Sequence, residues 1–135
     1  MTIETARQQP AFADFMGFKI THVSPERVSG ELYAKDEFNN RHGIVHGGAI
    51  MAFADNLGGT AATANLAEGQ ATTTIESKTN FFAAIAIGEI AKGECIPLHR
   101  GRTTMVWQTK ITRADGKLAA LVTQTQLVLA ARREN

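Results

Sequence analysis

A chain of 135 residues with 44% hydrophobic and 20% charged residues has apolar material for one core and scarcely for two, so a single domain over 1–135 is expected. A formal net charge of +1 supplies no field to draw the protein onto nucleic acid, and a single cysteine, Cys95, excludes an internal disulfide and suits a reducing compartment. The first ten residues carry Glu4, Arg7, Gln8 and Gln9 without an apolar run, unlike a secretory signal. No stretch reaches the roughly eighteen apolar residues of a membrane helix, so a soluble cytoplasmic protein is expected.

In chain order, Ala11 to Met16 reads as the end of a short helix that stops at Gly17. Phe18 to Val23 and Val28 to Ala34 read as strands joined by the turn Ser24-Pro25-Glu26-Arg27. A polar loop over Asp36 to Val45 leads into one long helix, His46 to about Leu66, on which Ile50, Phe53 and Leu57 recur at helical spacing while Ala and Gly residues keep the helix thin. Beyond Glu68-Gly69 the pattern becomes strands: Thr72 to Phe82, Glu89 to Ile96, Thr103 to Thr112 and Leu118 to Ala130, with a hairpin signal at Asp115-Gly116. A helix interrupted by Gly58-Gly59 has poor intrinsic propensity and needs burial on most sides. An antiparallel sheet wrapped around it meets that need, which is an α+β layout.

Asp55 is the only formally charged residue between Arg41 and Glu68, and it falls among residues that would otherwise be core. Burying a carboxylate is costly without a partner, so Asp55 either satisfies a structural contact or does chemistry. Ala52, Gly58 and Gly59 lie a turn to either side and leave space beside it. Ahead of the helix, Gly43-Ile44-Val45-His46-Gly47-Gly48 offers unpaired backbone N–H groups to a ligand oxygen, as an acyl-transfer oxyanion requires. Asn40 could hold a carbonyl or water, or close an Asx-turn; His46 could bond substrate or cap the helix. His42 and His46 have a metal-pair spacing but sit in a loop with no third ligand, so no metal is expected, and no cofactor. Arg100 and Arg102 flank Gly101 at a strand start, where they could grip phosphates; Arg132 and Arg133 read as a solvated face.

The motif Asn40-x5-His46-Gly47-Gly48 followed by Asp55 resembles the helix signature of the hot-dog thioesterase superfamily, in its phenylacetate-degradation (PaaI-like) branch. Phe15-Met16-Gly17-Phe18, Thr79-Asn80-Phe81-Phe82 with Gly88-Glu89, and Pro97 to Arg102 with Trp107 resemble further parts of the family. The Pro97–Trp107 stretch is similar to the aryl-CoA and siderophore-proofreading thioesterases. The resemblance implies a curved antiparallel sheet around one central helix, and hydrolysis of acyl-CoA thioesters, aryl or short to medium in chain. It implies a homodimer, paired further into a tetramer, with composite sites: Asn40 and the Gly47 N–H from one subunit, Asp55 from the other. Two departures stand out. Aryl-CoA and siderophore relatives carry Glu and Gln in place of Asp55 and Asn40, and many relatives have Ser or Thr where this chain has Gly59. A hydroxyl beside Asp55 then either comes from Thr74 or is absent. Gly48, Gly59, Thr74, Phe81 and Phe82 complete the expected substrate contacts, with one Phe pointing inward because neighbours on a strand alternate. Two other readings remain: a non-catalytic acyl-CoA-binding protein, for which the short N-terminus leaves no DNA-binding segment, and a hydratase or dehydratase using His46 and Asp55 across a dimer.

Overall fold

The computed structural model describes residues 1–131 and contains six strands and three α-helices. Two short helices, α1 (Ile3–Ala6) and α2 (Ala11–Met16), precede the hairpin β1 (Lys19–Ser24) and β2 (Arg27–Tyr33). A 3-10 turn at Asp36–Phe38 leads to α3 (Gly47–Thr63), followed by β3 (Ala71–Phe81), β4 (Ile90–Arg100), β5 (Thr104–Thr112) and β6 (Leu118–Leu129). All strand pairings are antiparallel, in the order β1-β2-β4-β5-β6-β3. The chain therefore carries β3 to the far edge after crossing the sheet with α3.

Helix α3 touches every one of the six strands. A flat sheet of six strands is about 24 Å across, more than one helix can reach, so the sheet must curve around α3. This is the hot-dog layout. Ile50, Phe53 and Leu57 turn into the sheet as their spacing predicts, against Ile20, Val28, Leu32, Trp107 and Ile111, all buried. The contact is close because Gly30 and Gly93, paired across β2 and β4, present bare backbone to it: a Cβ on Gly93 would stand 2.5 Å from Leu57 Cδ1 and 2.8 Å from Phe53 Cε2.

Several boundaries differ from expectation. Helix α1 escapes a periodicity search because it has only four residues; its hold is local, a capping box in which Thr2 and Thr5 exchange hydrogen bonds. Helix α3 ends at Thr63 rather than near Leu66. Strand β4 runs past Pro97 to Arg100, so Arg100 closes a strand instead of opening one, and Arg102 sits in the turn to β5. A register shift at Pro97/His99 lets the strand absorb the proline, whose missing N–H would otherwise interrupt the ladder. The expected β5–β6 turn is present, held by Arg113 on the Asp115 carboxylate and by the Lys117 N–H donating to Asp115 Oδ1 at 3.0 Å. These bonds, Arg113's first, hold the Asp115 carboxyl down at about 2. Arg132 and Arg133 lie outside the described residues. Among those described, no helix is long and apolar enough to cross a membrane.

Candidate active site

The loop before α3 is held by its own side chains. Asn40 Oδ1 accepts the His42 N–H at 2.7 Å and the Ile44 N–H at 3.3 Å, while the Asn40 N–H donates to the Ile44 carbonyl at 2.8 Å. The Asx-turn is thus real, and it uses only the oxygen of the side-chain amide: the NH2 group makes no hydrogen bond within the described residues. His46 is the N-cap, its Nδ1 accepting the Gly48 N–H at 2.8 Å, so the neutral ring carries its proton on Nε2. The Ala49 and Ile50 N–H groups both donate to the His46 carbonyl. That accounts for three of the first four helical N–H groups. The Gly47 N–H alone has no partner among the described residues, and the helix dipole gives this position partial positive charge.

Gly47 opens onto a pocket of about 340 Å³ lined by Asn40, Ile44, Ile50, Phe81, Phe82 and Ile85 among others. A Cβ on Gly47 would lie 3.1 Å from Phe81 Cζ, so the bare glycine lets that ring sit close to the N–H. Phe81 and Phe82 do not alternate as expected. Both are more than half exposed and both line this pocket. β3 ends at Phe81, and the N–H groups of Phe82 and Ala83 both donate to the Ala119 carbonyl, so the chain bends there and strand alternation no longer applies.

Asp55 lies about two turns further along α3 and, contrary to the expectation of burial, is exposed in the single chain. It is nevertheless fixed. Asp55 Oδ1 accepts from Thr74 Oγ1 at 2.7 Å and from Gln124 Nε2 at 3.2 Å, while Oδ2 has no partner among the described residues. Of the two alternatives at the Gly59 departure, the structure has the first: the hydroxyl beside Asp55 is that of Thr74. A β-bulge at Ile75 brings it there: Thr72 and Thr74 face the helix before the bulge, and Ser77 and Thr79 after it. If the same residues ran without the bulge, strict alternation would turn Glu76 and Lys78 inward. Gln124 and Gln126, the amides behind Asp55, are only 1% exposed and were not legible as site residues. Asp55 shares a second pocket, about 310 Å³, with Gly59, Asn56 and the N-terminal segment Thr5 to Pro10. Gln9 ties that segment down, accepting from Asn56 Nδ2 at 2.8 Å and donating to the Phe18 carbonyl at 2.7 Å. A Cβ on Gly59 would meet nothing within 4 Å.

The predicted residues therefore fall into separate groups. Asn40 and Gly47 meet Phe81 and Phe82 at one pocket, Asp55 and Gly59 share the other with Thr74 bonded to Asp55 from β3, and His46 and Gly48 are joined to each other in the cap. Gly47 and Asp55, eight residues apart on α3, are separated by about 12 Å along the axis and about 80° around it. Arg100 lies near the far end of the helix, where its guanidinium donates to the Pro25 carbonyl at 3.2 Å and Asn65 Oδ1 at 3.4 Å. Arg102 is exposed and makes no hydrogen bond within the described residues. Cys95 is fully buried beneath the sheet, and burial pushes its thiol up to about 11.

The profile of the thioesterase superfamily matches residues 42–120, from the loop before α3 into β6. A protein of Saccharolobus solfataricus provisionally named an esterase is 37% identical over 108 residues, covering 78% of this chain and 74% of that protein. Among solved structures, a thioesterase of Haemophilus influenzae superposes with a TM-score of 0.91 at 20% identity, over 100% of this chain and 95% of the other. A protein of Streptococcus mutans solved with acetyl-CoA superposes with a TM-score of 0.79 at 24% identity, over 86% and 91% of the two chains.

Proposed function

The chain belongs to the thioesterase superfamily and is a thioester hydrolase; from that premise we propose that it cleaves acyl-CoA thioesters with aryl or short to medium acyl groups, in a site shared between two copies of the chain. The observation that carries this reading is the unpartnered Gly47 N–H beside the Phe81 ring, at the mouth of a pocket with largely apolar walls. A thioester carbonyl laid against it gains a donor where oxyanion charge develops, and a second copy laid over the exposed rings would exclude water there. Asp55 cannot reach that carbonyl from the same helix, about 12 Å away. A second copy that brings its own Asp55 to this Gly47 closes the gap, so the subunits act as dimers, paired into tetramers.

In such a site the Asn40 NH2 holds the acyl carbonyl or a water, and the free Oδ2 of Asp55 does the chemistry. As a general base it takes a proton from water while the water oxygen bonds to the carbonyl carbon; the tetrahedral oxyanion rests on the Gly47 N–H and then expels CoA thiolate. As a nucleophile it forms an anhydride that water opens in a second step. Both routes give the free acid and the thiol. The Streptococcus mutans neighbour's acetyl-CoA supports CoA as the thiol. Phe81 and Phe82 together form an aromatic wall suited to a flat acyl group.

The test is thiol release from benzoyl-, phenylacetyl-, hexanoyl- and palmitoyl-CoA. Cys95, buried and with a raised pKa, contributes no background to a thiol reagent at neutral pH in the native protein. Release from the first three is expected. No release from any substrate would defeat the acyl-CoA reading, and palmitoyl-CoA ahead of both aryl substrates would overturn the acyl preference alone. Light scattering that finds an active 14.5 kDa species would defeat the shared site.

A further inference from the structure

We propose that Gln124 and Gln126, on β6, are positioning residues that let the Thr74 hydroxyl follow the charge on Asp55 through the reaction. The inference deepens the reading of Asp55 as base or nucleophile and rests on it. Inward positions of β6 read Ala120, Val122, Gln124, Gln126 and Val128, so two amides occupy places where the fold needs only apolar volume. Both are 1% exposed, where an unbonded amide is costly, and every polar atom of the two side chains is bonded except Gln124 Oε1, which has no partner among the described residues.

Their bonds form one directed chain. Thr72 Oγ1 spends its proton on the Leu127 carbonyl at 2.9 Å and accepts from Gln126 Nε2 at 3.2 Å, which fixes which end of the Gln126 amide is oxygen. Gln126 Oε1 accepts from Gln124 Nε2 at 2.9 Å, and Gln124 Nε2 gives its other proton to Asp55 Oδ1 at 3.2 Å. Thr74 Oγ1 stands 2.7 Å from Asp55 Oδ1 and 2.6 Å from Gln126 Oε1. Both neighbours are acceptors, and a hydroxyl has one proton. While Asp55 is an anion, that proton belongs to the carboxylate. Once Asp55 Oδ2 has taken a proton from water, or has bonded to the acyl carbon, Oδ1 is a weaker acceptor and the hydroxyl turns to Gln126 Oε1. Gln126 thus gives Thr74 a second resting place, and Gln124 holds Oδ1 against the sheet so that Oδ2 faces away from it.

The helix is shaped for this arrangement. A Cβ on Gly58 would lie 2.2 Å from Gln124 Cδ and Oε1, so α3 leaves room for the amide by carrying no side chain one turn after Ala54. Gly58→Ala therefore reaches the same network from the opposite side.

The experiment measures kcat and KM for the best acyl-CoA substrate of the panel, using the full chain. Gln126→Met is expected to lower kcat about tenfold with KM within about twofold, because Thr74 loses its second acceptor while the pocket keeps its walls. Gly58→Ala is expected to do the same by displacing Gln124, and it decides the matter if Gln126→Met fails to fold. The discriminating measurement is Thr74→Val with and without Gln126→Met. If Gln126 acts through Thr74, the double variant is no slower than Thr74→Val alone. Multiplying losses, or an unchanged kcat in Gln126→Met and Gly58→Ala, would overturn the proposal while leaving the thioesterase reading intact. A wild-type protein that releases no thiol removes both together.

Discussion

The two flanks of α3 are built by opposite means. At its N-terminus the reactive feature is a backbone N–H, freed because His46 serves the neighbouring donors and Gly47 carries no side chain. Its surroundings are loop segments and two exposed aromatic rings. At mid-helix the reactive feature is a side chain, Asp55, and what surrounds it is a sheet face of threonines and buried amides. The difference matches what each half would have to do in the proposed reaction. An oxyanion needs a fixed dipole in a dry place, which backbone and aromatic walls provide. A carboxylate that exchanges a proton needs partners able to donate or release as its charge changes, which only polar side chains provide. Neither flank holds what the other has, which is why the proposed site takes one half from each of two copies.

The largest effect should come from removing the charge of the second half. Asp55→Asn keeps an oxygen for Thr74 and Gln124 to donate to, yet loses the base, and kcat should fall by about 10²-fold or more with little change in binding. Near-wild-type turnover would make Asp55 a structural residue. The comparison can then be turned on itself by mixing. Asp55→Asn and Asn40→Ala chains, each nearly inactive alone, should regain about a quarter of wild-type activity when unfolded and refolded together. Half of the random dimers are then mixed, and each of those has one intact site of two. Mixtures that stay inactive would place both halves in one chain's site. A smaller effect is expected at Gly59, whose Cβ position is open. Gly59→Ala should stabilise α3 by about 1 kcal/mol, read as a higher Tm. It should also reduce kcat/KM for aryl substrates several-fold by adding a methyl beside Asp55. A gain in stability with unchanged kinetics would mean that substrate does not pass this side of the carboxylate.

How much of this was legible depended on how local each signal is. Ile50, Phe53 and Leu57 declare the buried face of α3 by their spacing, and Asp115-Gly116 declares a turn by its own chemistry. Asp55 stands out because no other formal charge lies near it in the helix. Thr74 could be named only through the departure at Gly59 from the family pattern. Gln124 and Gln126 could not be named at all. They sit in the run Thr123-Gln124-Thr125-Gln126, where inward and outward positions are equally polar and no alternation separates them. The bulge at Ile75 hides the phase of β3 in the same way, since a single inserted residue leaves no mark on composition. The expected alternation of Phe81 and Phe82 fails because Phe82 lies one residue past the end of the strand.

The weakest effect concerns a third region, the far end of α3, and it separates two arginines that look equivalent in sequence. Arg100 is occupied: its guanidinium joins the β1–β2 turn at Pro25 to Asn65, whose own Nδ2 donates to the same Pro25 carbonyl at 3.0 Å. Removing it should loosen that corner and lower Tm, without a change specific to CoA substrates. Arg102, two residues on in the turn after β4, is exposed and makes no such bond among the described residues, so it is the one of the two free to take a phosphate. A surface guanidinium gains little from an exposed phosphate, because water and salt screen the pair. Arg102→Ala should therefore raise KM for acyl-CoA only about three- to fivefold and leave kcat alone. A short thioester lacking the nucleotide should show no change, and moderate salt should erase most of the difference between wild type and variant. Equal losses on both substrates would make Arg102 part of the fold. The reverse pattern, with Arg100→Ala raising KM for acyl-CoA alone, would mean that its contacts with Pro25 and Asn65 give way to phosphate when CoA binds.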